Sequence, residues 1–334
     1  MNARILPFER SAAGLVADAV GLTRGGRSIV SEASVSLRPG EVLGILGPNG
    51  AGKSSLLKLL AGSLVPDRGE VRLDGRPLSD WGREALARRR AVLPQQLEVA
   101  FGFTAWEVAL LGRIPHHRGV PARLDREITR LAMAEVDADS LAGQRYPTLS
   151  GGERARVQLA RVLAQVWSEQ PAGEILLLDE PSAPMDVAHQ LRLSLQLRRL
   201  AAKGYAVAVI VHDLNLAAAT CDRVLFMREG RSLHCGTPEQ VFVPEILSEV
   251  FDVAAEVTHP DRHPHVRLLA GTSKNHFPVV FRGRPSRETR EGLTLFQPLT
   301  RLTRWGIPAP KGTSKGFSRC PRFLTVHQRA RGPG

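Results

Sequence analysis

The feature that most constrains this chain is a glycine-rich string, GPNGAGKS, set between an apolar run and a stretch of leucines. It occupies Gly47 to Ser54 and fits the pattern G-x-x-x-x-G-K-[ST]. The apolar run VLGIL at Val42 to Leu46 precedes it, and leucines at helical spacing follow in Ser55 to Ala61. Because glycines let successive backbone N–H groups turn inward around an anion, this strand–loop–helix unit predicts a phosphate-binding loop. The residues expected at the phosphates are Gly47, Pro48, Asn49, Gly50, Ala51, Gly52, Lys53, Ser54 and Ser55.

A second apolar run, Ile175 to Leu178, ends in two carboxylates. Such a continuous run is typical of a strand buried on both faces of a parallel sheet, and its carboxyl end is expected near the phosphate loop. We therefore predict that Asp179 holds Mg²⁺ through water and that Glu180 acts as the general base or positions the attacking water. Lys53 is predicted to reach the β- and γ-phosphates of a nucleotide, and Ser54 to ligate Mg²⁺.

A third string, LSGGE at Leu149 to Glu153, precedes the amphipathic segment RARVQLARVLAQ. With these motifs in this order, about residues Gly14 to Leu269 resemble the ATP-binding subunits of ABC transporters. The resemblance implies ATP and Mg²⁺ as cofactors and an α/β fold. That fold is a P-loop NTPase (RecA-like) core with an ABC-type antiparallel β region and an all-helical signature subdomain at about residues 97–165.

The resemblance also implies roles for residues outside the phosphate loop. Ser150, Gly151 and Gly152 would contact the γ-phosphate of ATP bound to the opposite subunit, so that the site is completed only in a homodimer. Gln95 in AVLPQQ matches the glutamine loop, which touches Mg²⁺ and water and leads toward the membrane partner. His212 in VIVHDLNLA matches the switch histidine that senses the γ-phosphate. Catalytic roles are thus expected for Glu180, His212 and Gln95.

Two segments depart from the family pattern. The segment after Glu180 reads PSAPMDVAHQ, which keeps the nucleotide-contacting aspartate as Asp186 but adds Pro184, whose ring stiffens a loop expected to communicate across the dimer. The aromatic residue that often stacks on adenine is replaced by LTRGG, where Arg24 could stack through its guanidinium plane.

Charge separates the last part of the chain from the rest. Residues 271–334 hold 13 Lys and Arg against two acidic residues, which accounts for most of the net charge of +12. Pro/Gly-rich stretches without periodicity predict a disordered basic extension there, after an ABC transporter nucleotide-binding domain at residues 1–270. A basic arm could touch nucleic acid or anionic lipid, but an extension without a role is favoured, and no nucleic-acid partner is expected.

The cargo is inferred from resemblance alone. The segment FTAWEVALLGRIPHH, with LGR-x-PH ending at His116, is similar to importers of iron siderophores, haem and cobalamin. The strings VAHQ, YPTLSGGE, GTPEQVF and LSEVFDV most resemble subunits of hemin importers. The expected function is ATP hydrolysis that energises hemin uptake across the inner membrane. The expected partners are two transmembrane permease subunits and a periplasmic hemin-binding protein, with no direct haem contact in this chain.

Several alternatives stay open. Import of an iron siderophore or of cobalamin is separated only weakly from hemin import. A soluble ABC ATPase acting on ribosomes or DNA is less favoured, because such relatives carry paired ATPase domains or a long coiled-coil insertion. A sensor without turnover is disfavoured by Glu180. The chain has no apolar run of about 18 residues and no signal-peptide pattern, so we expect it at the cytoplasmic face of the bacterial inner membrane.

Overall fold

The computed structural model describes residues 14–95, 102–117, 119–181, 187–260 and 263–269. Its strands are β1 (Leu15–Arg24), β2 (Arg27–Leu37), β3 (Val42–Leu46), β4 (Arg68–Leu73), β5 (Arg76–Pro77), β6 (Arg90–Leu93), β7 (Ile175–Leu178), β8 (Ala206–Ile210), β9 (Arg223–Arg228), β10 (Arg231–Gly236), β11 (Ala254–Thr258) and β12 (His265–Leu269). Its α-helices are α1 (Lys53–Leu60), α2 (Arg83–Arg89), α3 (Ala105–Leu110), α4 (Arg123–Glu135), α5 (Gly151–Gln165), α6 (Val187–Ala202), α7 (Leu214–Thr220), α8 (Pro238–Val241) and α9 (Pro244–Phe251). Short 3₁₀ helices lie at Leu78–Asp80, Leu111–His116, Asp139–Leu141 and Tyr146–Thr148.

The described strands form three sheets. The central sheet has the order β10-β9-β3-β8-β7-β6, and all of its neighbouring pairs except β9 with β10 are parallel. A second sheet, with the order β2-β1-β4-β5, is antiparallel throughout, and β11 pairs with β12 in a third. The predicted α/β fold with a separate antiparallel region is therefore confirmed.

The central strands are buried on both faces. Every residue of β3, β7 and β8 is buried, as the continuous apolar runs in the sequence predict. Side chains alternate along β3, so Leu43 and Ile45 join the core beneath α1 and the antiparallel sheet, while Val42 and Leu46 join the core shared with the helical region. Each such side chain stabilises the fold by about 1.5–3 kcal/mol, which fixes the strand that ends at the phosphate loop.

The far edge of the central sheet departs from the alternation of strand and helix that is typical of a parallel sheet. β9 runs parallel to β3, but β10 returns antiparallel to β9 after a two-residue turn. Glu229 has a φ of 51° and Gly230 a φ of 79°. Positive φ values at both central residues are those of a type I′ turn, whose twist matches a hairpin. A local turn, rather than a helix, therefore connects these two strands.

Helices fill the segment between β6 and β7. The segments TAWEVALL and RARVQLARVLAQ lie in α3 and α5, and each of these helices starts at a capping box, at Thr104 with Glu107 and at Ser150 with Glu153. One face of α5 is buried against the neighbouring helices, including Leu159 and Leu163. Within the described ranges, no helix has both the length and the apolar character needed to cross a bilayer.

Candidate active site

The glycine-rich string forms the turn between β3 and α1, and its glycines are required by backbone geometry. Gly47 has a φ of 151°, and a Cβ there would lie 2.0 Å from the Met227 carbonyl oxygen. Gly52, the N-cap of α1, has a φ of 93°, and a Cβ there would lie 2.5 Å from the Ile29 oxygen. The loop can therefore lie this close to two neighbouring backbones only with glycine at both positions.

Lys53 lies inside this loop. Its side chain is buried, and Nζ donates hydrogen bonds to the Gly47 oxygen at 2.8 Å and to the Pro48 oxygen at 3.0 Å. Burial lowers the pKa of Lys53, and the carboxylates of Glu180 and Asp179 raise it again in part. A buried cation within a ring of backbone groups at a helix N-terminus is a favourable setting for a phosphate.

Ser54 and Asp179 bring two oxygen donors together beside the loop. Ser54 Oγ donates to Asp179 Oδ1 at 3.1 Å, and the Asp179 N–H donates to the Leu93 oxygen at 2.8 Å, which ties the end of β7 to β6. Asp179 is only 5% exposed; burial raises its pKa, the Ser54 hydrogen bond lowers it, and the nearby Glu180 charge raises it. A hydroxyl and a carboxylate are ligands that Mg²⁺ accepts, so these residues fit the predicted metal.

Glu180 is contacted by two side chains that follow the neighbouring strands β6 and β8. Gln95, two residues beyond β6, donates from Nε2 to Glu180 Oε2 at 2.7 Å. His212, two residues beyond β8, has Nε2 at 2.6 Å from Glu180 Oε1. Glu180 itself has a φ of 50°, an uncommon backbone for a side chain with Cβ. The carboxyl ends of β6, β7 and β8 thus place the three predicted catalytic side chains in contact.

The signature string lies at the N-terminus of α5. The exposed Ser150 donates from Oγ and from its backbone N–H to Glu153 Oε2, each at 2.8 Å, and these bonds lower the pKa of Glu153. Within the chain, Ser150 therefore bonds its own helix rather than the phosphate loop. Gly152 packs against the imidazole of His189, and a Cβ at Gly152 would lie 2.6 Å from His189 Cδ2.

Of the other residues predicted to contact the nucleotide, some have described positions and some do not. Asn49 and Gly50 are exposed at the tip of the loop, and Ser55 is half-buried in the first turn of α1. Arg24 ends β1, with Nη1 3.9 Å from Asp67 Oδ1. Asp186 and Pro184 lie outside the described residues.

Three contacts of the site are not predicted from the sequence. The carbonyl groups of Met227 and Ile29 support the phosphate loop, and His189 supports Gly152. Backbone carbonyls carry no side-chain signature, so no sequence signal points to the first two. His189 belongs to VAHQ, a string that resembles hemin importers but carries no signal for a contact with Gly152.

The site combines a glycine loop that holds a buried lysine with an adjacent serine and aspartate, and a glutamate lies at the same edge of the sheet. This combination defines a P-loop nucleoside triphosphatase. Residues 30–183 match the sequence model of the ABC transporter family. The "Hemin import ATP-binding protein HmuV" of Pseudomonas entomophila (strain L48) is 51% identical over 245 residues, covering 73% of this chain and 95% of that protein. The chain belongs to the ABC transporter family, as an ATP-hydrolysing subunit.

Solved structures agree on the fold. A transporter described as metal-chelate type, in an inward-facing conformation, superposes with a TM-score of 0.67 at 23% identity, covering 78% of this chain and 98% of that chain. A dimeric ATP-binding cassette in a post-hydrolysis state, bound to ADP and phosphate, superposes with a TM-score of 0.58 at 23% identity, covering 67% of this chain and 98% of that chain.

Proposed function

We propose that this chain is the ATPase of a hemin importer and works as a homodimer beneath two permease subunits. The observation that carries the ATPase part is the contact of Gln95, Glu180 and His212 beside the phosphate loop. The cargo rests on the relative that is 51% identical and named for hemin import. A periplasmic hemin-binding protein would deliver the cargo, and this chain would touch neither haem nor nucleic acid.

The phosphate loop would hold the nucleotide. Its backbone N–H groups and the N-terminus of α1 favour negative charge, and Lys53 would exchange its bonds to Gly47 and Pro48 for the β- and γ-phosphates. Ser54 and Gln95 would ligate Mg²⁺ directly, and Asp179 through water. The metal supplies neutralisation of phosphate charge.

Glu180 would act on the attacking water. Gln95 and His212 hold one carboxylate oxygen each, which limits the orientations that the carboxylate can take. Phosphoryl transfer depends mainly on such positioning, so the contribution of Glu180 lies in orienting the water and accepting its proton.

The second half of the site would come from a partner copy. Ser150, Gly151 and Gly152 stand at the N-terminus of α5, where Ser150 is exposed and backbone N–H groups favour an anion. They would close over the γ-phosphate held by the opposite subunit, with Asp186 beside them. The solved relative described as a dimer bound to ADP and phosphate supports this arrangement. Hydrolysis would then remove the contact that holds the dimer closed and so drive the permease between states.

Glu180→Gln tests the shared site. The amide keeps the shape of the side chain but cannot accept the proton, so we expect turnover to fall to background while ATP binding persists. With ATP, the variant should elute as a dimer in size exclusion. Glu127→Gln, an exposed change on α4, is the matched control and should keep turnover. A Glu180→Gln variant that stays monomeric with saturating ATP would contradict the shared site.

The cargo needs a separate experiment. The chain would be reconstituted with its two permease subunits in liposomes, and ATP-dependent uptake of hemin, cobalamin and a ferric siderophore would be compared. Hemin uptake that stops with Glu180→Gln is the expected result. Uptake of cobalamin or of the siderophore without hemin would favour the alternative cargo. As an importer subunit, the chain would lie at the cytoplasmic face of the inner membrane.

The proposed nucleotide-binding domain spans residues 1–270, with its helical subdomain at about residues 97–165. Residues 271–334 would form an extension without a role in hydrolysis. The match to the hemin-import relative, which covers 95% of that protein with 73% of this chain, supports this division.

A further inference from the structure

The C-terminal end of α5 is held by side chains from outside the helix. The last carbonyl groups of a helix have no N–H partners within it. Here Arg113 donates from Nη1 to the Ala164 oxygen at 2.7 Å, and His116 Nε2 lies 2.7 Å from the Gln165 oxygen. Because a carbonyl oxygen only accepts, Nε2 of His116 carries the hydrogen. Both donors come from the 3₁₀ helix Leu111–His116.

The same 3₁₀ helix is fitted closely to α5. A Cβ at Gly112 would lie 2.0 Å from the Arg161 oxygen, so only glycine lets the two backbones approach. Arg113 is buried, and its Nε donates to Asp125 Oδ1 at 3.0 Å. A buried guanidinium needs such a partner to offset its desolvation. The string LGR-x-PH therefore forms a clasp on α5, defined here as Gly112, Arg113 and His116.

The Gln165 side chain extends this connection to the central sheet. Its Nε2 donates to the Ala87 oxygen of α2 at 2.8 Å and to the Arg90 oxygen of β6 at 3.1 Å. Strand β6 leads directly to Gln95, which bonds Glu180. The opposite end of α5 carries Ser150, about 22 Å away along a helix of this length.

We propose that Gln165 is a positioning residue for ATP hydrolysis. Its two hydrogen bonds join the C-terminal end of α5 to the strand that leads to Gln95, so that the helix carrying Ser150 stays anchored to that strand when two subunits close. This inference rests on the proposed function, because both ends have roles only in a shared nucleotide site. The clasp holds the C-terminal end of α5 in place, and the hydrogen bonds of Gln165 connect that end to α2 and β6.

Gln165→Met tests the proposal, because methionine keeps the length of the side chain and removes both donors. We expect kcat to fall about tenfold, as misplacement of reacting groups does. Because the phosphate loop is untouched, the affinity of the isolated subunit for MgATP should stay within about twofold. In the Glu180→Gln background, the ATP concentration for half-maximal dimer should rise about tenfold. Gln165→Asn keeps the amide but is one methylene shorter, and should give a smaller fall in kcat.

The matched control is Thr129→Val on α4. Thr129 is buried and its Oγ1 donates to the Asp125 oxygen at 2.7 Å, so the variant loses a buried hydrogen bond in the same helical region without cutting the connection to β6. It should keep kcat and dimer formation. An equal fall in kcat for Thr129→Val would overturn the proposal, because the effect would then be loss of stability.

Two further outcomes separate this inference from the proposed function. If Gln165→Met folds and keeps both kcat and dimer formation while Glu180→Gln traps a dimer, the positioning role is wrong and the shared site stands. If Glu180→Gln itself forms no dimer with ATP, the proposed function fails, and this inference fails with it.

Discussion

Ser54 Oγ donates a hydrogen bond across 3.1 Å to Asp179 Oδ1, joining the first turn of α1 to the end of β7. Asp179 is buried in the protein, with Glu180 next to it in the chain. Burial raises the pKa of Asp179, so the ionised carboxylate is less favourable in the folded chain than in the unfolded chain. Asp179, which we propose holds Mg²⁺ through water, therefore costs folding stability as long as no cation is bound beside it.

Asp179→Asn should stabilise the nucleotide-free protein. The amide keeps an acceptor for Ser54 and removes the charge, so we expect the variant to melt about 3 °C above the parent at pH 7. Because the folded pKa is raised above the ordinary value of 3.8, the folded parent binds more protons than the unfolded chain between these two values. The parent thus recovers stability as the pH falls through this window, and the advantage of the variant shrinks there. Thermal unfolding between pH 4 and 8 measures this.

The control for this change is Asp139→Asn, which removes an exposed carboxyl elsewhere in the helical region. It should not reproduce the gain at pH 7. The stabilisation of the protein by ATP should depend less strongly on Mg²⁺ in Asp179→Asn than in the parent, because Ser54 and Gln95 remain as the proposed direct ligands. A variant that melts below the parent at every pH would contradict the argument.

Gly47 and Gly50 require glycine for different reasons: Gly47 because a side chain would clash, and Gly50 because of its backbone conformation. At Gly47, a Cβ would lie 2.0 Å from the Met227 oxygen, whereas at Gly50, with a φ of 79°, nothing lies within 4 Å. Gly50→Ala should therefore cost only the strain of a left-handed residue, about 1–2 kcal/mol. Gly47→Ala should lower the melting temperature by about 10 °C or prevent folding, because β3 or β9 must move. Equal melting temperatures for the two variants would show that the Met227 contact is not limiting.

The sequence predicts the elements whose causes are local. Continuous apolar runs predict β3, β7 and β8, because strands buried on both faces need such runs. The proximity of Asp179 to Ser54 follows from a topological rule, since the carboxyl ends of parallel strands share one edge of a sheet.

Features that depend on distant backbone could not be predicted in this way. The fit of Gly47 depends on the Met227 carbonyl, and the fit of Gly112 depends on the Arg161 carbonyl. Both are backbone groups, so no side chain in the sequence indicates these contacts. The turn at Glu229 and Gly230 is similar, because glutamate is not a typical residue for a positive φ.

Truncation after Ala270 should leave ATP hydrolysis intact. All the residues proposed for the nucleotide site lie between Arg24 and His212, and the hemin-import relative is matched almost in full by 73% of this chain. We expect kcat and KM of the truncated protein within about twofold of the parent, since no contact in the transition state is removed. A larger loss would show that residues 271–334 contribute to the site.

Gly152 and His189 offer a test by paired substitution. The imidazole of His189, on α6, packs against Gly152, and a Cβ there would lie 2.6 Å from Cδ2 of the ring. Gly152→Ala should therefore lower the melting temperature and the rate of ATP hydrolysis, because the ring or the N-terminal turn of α5 must shift. His189→Ala removes the ring, so the double variant should recover most of the lost stability, a coupling of about 1–2 kcal/mol between residues in contact. Thermal unfolding of the parent, both single variants and the double variant measures that coupling. If the changes in stability of the two single variants simply add in the double variant, the two residues do not constrain each other. His189 would then not position the signature string.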